Sequence, residues 1–147
     1  MSGALYTTEI LRLATSIPHL GVLDTPDARV ERRAPVCGSR VSVDMIMDEN
    51  GRVSAFAQTV NACALGQASA ALLGSVVIGR NAPELAAFRD GLAALLGGAT
   101  NSVPQLPALD LFTAAQGHSA RHASILLPFG AAAEAALIAQ QRHQHAA

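Results

Sequence analysis

The chain has 147 residues, 50% of them hydrophobic and 3% aromatic, and its 10 basic and 11 acidic side chains leave a formal net charge of -1. That length suits one domain, able to bury about two-thirds of its unfolded surface without a disulfide or metal staple. The near-neutral charge excludes an electrostatic case for nucleic acid.

With so few rings, the core must be built from Ala, Leu, Val and Met, which favours closely packed helices. The first stretch, "MSGALYTTEILRLATSI", carries Glu9 and Arg12 inside its apolar run and no basic leader. It therefore reads as an amphipathic helix and not as a signal peptide or anchor. A reducing cytoplasm is the expected compartment, where two cysteines 26 positions apart are not expected to form a structural disulfide.

Next comes "PHLGVLDTPDARV", a loop by its Pro18, Gly21 and Pro26. "ARVERRAP" is the first strand, and its charges make it an edge. Arg29, Arg32 and Arg33 read there as a solvated face and not as a binding patch. "SRVSVDMIMDENGRVSAFAQTV" predicts a hairpin. Val41, Val43, Met45 and Met47 share one face and Asn50-Gly51 makes the turn; on the return, Val53, Ala55, Ala57 and Thr59 alternate with Ser54, Phe56, Gln58 and Val60.

Residues 54–79 carry no charge, which raises the question of a membrane span. The alternation of the first part, the polar Gln58, Asn61 and Gln67, and the Ala, Gly and Ser of the rest predict a strand followed by a buried helix, with no membrane partner. In that helix Asn61 is the expected N-cap, Cys63 lies in the first turn and Gly79 marks the end. "NAPELAAFRDGLAALLGG" repeats the pattern, with Asn81 as cap, Pro83 near the first turn, Glu84 at the positive end of the dipole and a glycine stop.

"ATNSVPQLP" reads as a flexible connection, "ALDLFTAAQ" as a shorter helix, and a last helix runs from about Ser119 to Gln141, with Pro128 a bend or a late start. A helix, three strands and then several helices, segregated along the chain, predict an α+β fold: an amino-terminal helix, a three-stranded antiparallel sheet and helices packed on one of its faces. Residues 1–142 form the expected single domain. Residues 143–147 read as a frayed polar tail, and His143 and His145 as part of it, not as a chelating pair.

Two residues carry the chemistry. Cys37 enters the hairpin and Cys63 leaves it, so both belong to connections at the same end of one antiparallel pair and can be neighbours in space. A first-turn cysteine should have a depressed pKa, because free backbone N–H groups and the helix dipole favour the thiolate. The competing reading makes both of them small buried apolar residues. No Ser-His-Asp arrangement, phosphate-cradling glycine loop or paired-carboxylate motif stands out.

The string "APVCGSRVSVDM…DENGRVSAFAQTVNACALGQASAALL" resembles the U-type iron-sulfur cluster assembly scaffolds, the family of IscU, SufU and the amino-terminal domain of NifU. Its Pro-x-Cys-Gly-Asp motif corresponds to "PVCGS", its Gly-Cys helix opening to "ACALGQAS", and the likeness extends from "LDTPDARV" to "RHASILLPFGAA", with the later part closer to the SufU-like branch. Ser39 stands where the family has Asp, and the third cysteine is absent. "HASIL" aligns Ala123 with that cysteine in the IscU-like register, after His122, whereas the SufU-like register puts Ser124 there. The Leu-Pro-Pro-Val-Lys segment that engages a chaperone in IscU-like members is missing, so that partner is not implied.

The resemblance implies a scaffold or sulfur acceptor and not a turnover enzyme. Sulfur would come from a cysteine desulfurase, the main partner, alongside other assembly proteins, with Cys63 as persulfide acceptor. The implied ligand set for iron, a labile cluster such as [2Fe-2S], or zinc is Cys37, Cys63 and His122, with Ser39 a weak fourth. A [2Fe-2S] cluster held by one chain needs four protein ligands, so this set fits a single Zn²⁺ or Fe²⁺ with water, a labile cluster, or one shared across a dimer.

Overall fold

A computed structural model describes residues 5–146. The first helix, α1 (Thr8–Ala14), starts where the Thr7 hydroxyl accepts the Ile10 N–H at 3.2 Å, with Glu9 in its first turn and Arg12 in its last. The following loop bends back onto the sheet. His19 accepts the Gln58 N–H at 2.9 Å and Gly21 donates to the Gln58 carbonyl at 3.0 Å, which covers part of an otherwise open strand edge.

The sheet is β1 (Ala28–Arg33), β2 (Arg40–Met47) and β3 (Val53–Asn61), antiparallel throughout and in that spatial order. Val41, Val43, Met45 and Met47 are all buried, as alternation requires. The return strand departs from simple alternation: the register shifts between Ile46 and Met47, so Met47 pairs with Val53 while Met45 pairs with Phe56. The bulge puts Val53 and Phe56, opposite in a strict period of two, both into the core. Gly51 takes φ +75° in the turn, and Asp48 Oδ1 accepts the N–H groups of Asn50 and Arg52.

The arginines of β1 are half-exposed but engaged. Arg29 Nε lies 2.7 Å from Oδ1 of Asp44, a carboxylate only 3% exposed, and Arg32 reaches Glu134 at 2.8 Å.

Helix α2 (Ala64–Val76) begins later than its sequence suggests. Asn61 pairs with Arg40 as the last residue of β3, so the N-cap position falls to Cys63. In α3 (Ala82–Leu96), Asn81 and Glu84 form a reciprocal capping box at 2.9 and 3.0 Å. The expected flexible connection is pinned: Val103 is buried, Asp110 accepts its N–H at 2.8 Å, and Gln116 Nε2 donates to the carbonyls of Leu95 and Thr100. The shorter helix is a 3₁₀ segment, Pro107–Ala115, whose Leu109 and Phe112 are fully buried.

The long helix α4 (His122–Ala146) follows a 3₁₀ turn, Ser119–Arg121, and passes through Pro128. It lies across the sheet and touches α2 and α3, with Ala131, Ala132, Ala135, Ala136 and Ala139 buried at its contacts. Small side chains let it approach closely; a Cβ on Gly130 would stand 2.8 Å from Arg32 Nη1. The helix continues past 143 to Ala146. His143 Nε2 lies 2.8 Å from Asp27 Oδ2, and Arg142 donates to the Asp27 carbonyl at 3.1 Å.

Ser119–Gln144 is long and apolar enough to cross a membrane, but 67% of its apolar window is buried inside the fold. The uncharged stretch 54–79 resolves into β3 from its second residue onward and the buried α2, a strand followed by a helix as expected.

Candidate functional site

Three segments meet at one end of the sheet. Arg33 pairs with Arg40, which leaves residues 34–39 as the connection between β1 and β2. Ala34 donates to the Ser39 carbonyl at 2.8 Å, Gly38 donates to the Ala34 carbonyl at 2.9 Å, and Gly38 takes φ +73°. This turn holds Cys37 exposed at its tip and buries Ser39. The antiparallel return brings Cys63, half-buried, to the same end. The first turn of α4 supplies Ser124, which is 1% exposed.

Four side-chain atoms form a continuous chain. Cys37 Sγ is 3.2 Å from Ser39 Oγ, Ser39 Oγ is 3.0 Å from Ser124 Oγ, and Ser124 Oγ is 3.4 Å from Cys63 Sγ. Gly66 permits the approach of α2 to α4. A Cβ there would fall 2.6 Å from Ser124 Oγ and 3.2 Å from its carbonyl. Pro128 lacks the N–H that would return to that carbonyl, and Ser69 Oγ ties the neighbouring Ile125 carbonyl to α2 at 2.6 Å.

Both thiols are held below the ordinary cysteine range. At Cys37 the largest cause is the Ser39 hydroxyl, followed by the Ser39 N–H. At Cys63 burial is the largest influence and pushes the thiol up; the Ser124 hydroxyl, the N–H groups of Gly66 and Leu65 and the Arg121 guanidinium together outweigh it. The free donors of a helix start and one nearby cation are what a thiolate needs.

The structure thus brings Cys37, Ser39 and Cys63 together and adds Ser124, the residue of the SufU-like register; Ala123 is exposed. His122 is engaged elsewhere. Its Nε2 is 2.7 Å from the Ala115 carbonyl, and because a carbonyl only accepts, that nitrogen carries the proton and only Nδ1 keeps a lone pair. Among the described residues no group of three or more His, Cys, Asp and Glu side chains stands ready to hold a metal ion. The donors that converge are two thiols and two hydroxyls. Hydroxyls bind divalent ions weakly unless ionised, so the pair of sulfurs is the whole of the strong ligand set.

A cleft of about 360 Å³ beside the thiol turn is lined by Arg33, Pro35, Gly38, Arg40 and Asn61. Another cavity, about 510 Å³, lies at the opposite end of the sheet, between the Asn50-Gly51 turn and His143, and neither cysteine lines it. Neither cysteine lines the smaller cleft, which adjoins the thiol turn through Ala34, Pro35 and Gly38 and carries Arg33 and Arg40.

The family model for the NifU-like N terminal domain matches residues 5–124. The chain belongs to this family. It is the iron-sulfur cluster assembly scaffold family that the two cysteine motifs resemble. A crystal structure of a nitrogen-fixing NifU-like protein (N-terminal) from Brucella abortus superposes with a TM-score of 0.88 at 35% identity, over 94% of this chain and 96% of that one. A putative iron-sulfur cluster assembly scaffold protein for the SUF system from Fervidobacterium islandicum shares the fold with a TM-score of 0.84 at 18% identity, covering 92% of this chain and 99% of that one. No functionally curated protein matches the sequence. The expected α+β architecture of the NifU-like scaffolds is the one observed.

Proposed function

We propose that this NifU-like chain serves iron-sulfur cluster assembly by accepting sulfur on Cys63 from a cysteine desulfurase and holding iron or a labile cluster as cargo on Cys63 and Cys37. The observation that carries this reading is the linking of both thiols through the Ser39–Ser124 hydroxyl pair, with Cys63 at a helix start. Cys63 is the better acceptor, since the N–H groups of Leu65 and Gly66 favour its anionic form and that of a persulfide alike. With two strong ligands the chain cannot complete a [2Fe-2S] set alone. The remaining positions on iron, or on zinc in its place, fall to water, to a second molecule, or to His122 through Nδ1. Ser39 contributes a hydroxyl only.

The decisive experiment is anaerobic incubation with a cysteine desulfurase and cysteine, followed by mass analysis of the Cys63 peptide and by iron and acid-labile sulfide determination after iron is added. A gain of one sulfur atom on Cys63, lost in Cys63→Ser, is the expected result; an unmodified Cys63 overturns the reading.

The hydroxyl at the place of the third thiol supports a second reading, a degenerate paralogue that binds the desulfurase without metal. Desulfurase binding that survives both Cys37→Ser and Cys63→Ser, with no cysteine-dependent iron, distinguishes it. Both readings assume the reducing cytoplasm expected for two free thiols.

A further inference from the structure

We propose that Cys37 is the resolving thiol of this site: it attacks the sulfur of a Cys63 persulfide, expels the outer sulfur as sulfide and leaves a Cys37–Cys63 disulfide. The inference rests on the reading of Cys63 as sulfur acceptor. It assigns Cys37 a covalent role in addition to that of a ligand.

The chain has only two cysteines, so a sulfur carried on Cys63 has Cys37 as its sole thiol neighbour within the molecule. The chain of contacts through Ser39 and Ser124, at 3.2, 3.0 and 3.4 Å, puts both sulfurs on one short hydroxyl bridge. The two sulfurs differ in freedom. Cys63 is fixed at the start of α2, whereas Cys37 sits on the exposed tip of the 34–39 turn, next to Gly38 at φ +73°. Cys37, on the exposed turn, is the partner that must travel to a disulfide bond length, and the hydroxyl of Ser124 is what it displaces at Cys63.

The step balances within the site. The Cys37 thiolate supplies the electron pair of the new S–S bond to Cys63 Sγ, the bond from Cys63 Sγ to the outer sulfur breaks, and that sulfur leaves with both electrons as hydrosulfide. The two cysteine sulfurs are oxidised to the disulfide, the outer sulfur is reduced to sulfide, and no outside oxidant or reductant takes part. Attack at the outer sulfur would instead pass the persulfide to Cys37 and expel the Cys63 thiolate, releasing no sulfide and leaving no Cys37–Cys63 bond, so sulfide and cross-link together report attack at the inner sulfur. A thiol of the glutathione class then reopens the disulfide and resets the site.

The alternative design, a third thiol that retains the sulfur in a metal cage, is closed to this chain. Ser124 stands between Ser39 and Cys63, and its hydroxyl can donate a proton but cannot receive sulfur.

The test loads Cys63 in two arms, one with a cysteine desulfurase plus cysteine and one with inorganic polysulfide, removes the donor under argon without added thiol, and follows trapped sulfide and peptide mass over time. Wild-type protein should release one sulfide per loaded persulfide and acquire a cross-linked Cys37–Cys63 peptide pair, while Cys37→Ser and Cys37→Ala hold the persulfide about ten-fold longer. Equal rates of sulfur loss in wild type and variants, or sulfide release with no Cys37–Cys63 cross-link, overturn the inference. If the desulfurase arm leaves Cys63 unmodified while polysulfide loads it, the acceptor reading fails and the polysulfide arm still decides the role of Cys37.

Discussion

Ser124 decides what the two thiols can do. Its hydroxyl touches both Ser39 and Cys63, so Ser124→Ala removes the support that offsets the burial of Cys63. The Cys63 thiol should then titrate higher and alkylate several-fold more slowly near neutral pH, with Cys37 less affected because Ser39 is its main partner; iodoacetamide labelling read by peptide mass checks both. The reverse change is more telling. Ser39→Asp combined with Ser124→Cys supplies the two ligands that the family motif has and this chain lacks, and the double variant should hold one Zn²⁺ per chain against a chromogenic chelator at least ~10-fold more tightly than the wild type with its two thiols. The sequence made Cys37, Ser39 and Cys63 legible because a hairpin forces its two ends together. It left Ser124 as one of two registers, since a single deleted or inserted position before a helix changes nothing in the periodicity. His122 could not be resolved from sequence, because its partner is the carbonyl of Ala115, a backbone atom with no signature in the residue type.

At the scale of elements, the close approach of α2 to α4 makes the site. Gly66→Ala would gain about 1 kcal/mol of helix propensity against about 1–3 kcal/mol of overpacking. The Ala62 Cβ at 2.8 Å and the Ser124 carbonyl at 3.2 Å belong to parts that yield little, so overpacking wins. The expected outcome is a small loss of stability in urea together with a Cys63 that loses its Ser124 contact and labels more slowly. The sheet depends on a second buried contact. Burial alone would raise the Asp44 carboxyl, but Arg29 and the Leu23 N–H hold it below the usual range. A lowered folded-state pKa means stability that is fully present above the ordinary carboxylate value and lost as pH falls through the depressed one. Asp44→Asn should therefore cost about 1–3 kcal/mol at neutral pH, and the gap to wild type should close in acid; urea midpoints at a series of pH values check it. Strand and helix identities were legible because their periods are strong. The register shift at Ile46/Met47, the start of α2 at Cys63 and the 3₁₀ form of 107–115 were not, because each is settled by what the neighbouring element leaves free.

For the whole molecule, the position of the thiols at the rim of the sheet separates chemistry from folding. The largest buried side chains, among them Phe88, Phe112, Phe129, Leu65 and Leu73, stand on α2, α3, α4 and the 3₁₀ segment and close one continuous core with β2. Cys37 lies outside that core, Cys63 only borders it, and α4 is tied at its far end by His143 and Arg142 to Asp27. A domain whose metal is structural unfolds when the ion is removed, because binding free energy is then folding free energy. Here the apolar core encloses α4 without help from the site, so a chelator should leave the thermal midpoint unchanged, and Cys37→Ser should melt with wild type. A midpoint that falls on chelation would mean that the thiols hold an ion the fold depends on, against their placement at the rim of the core.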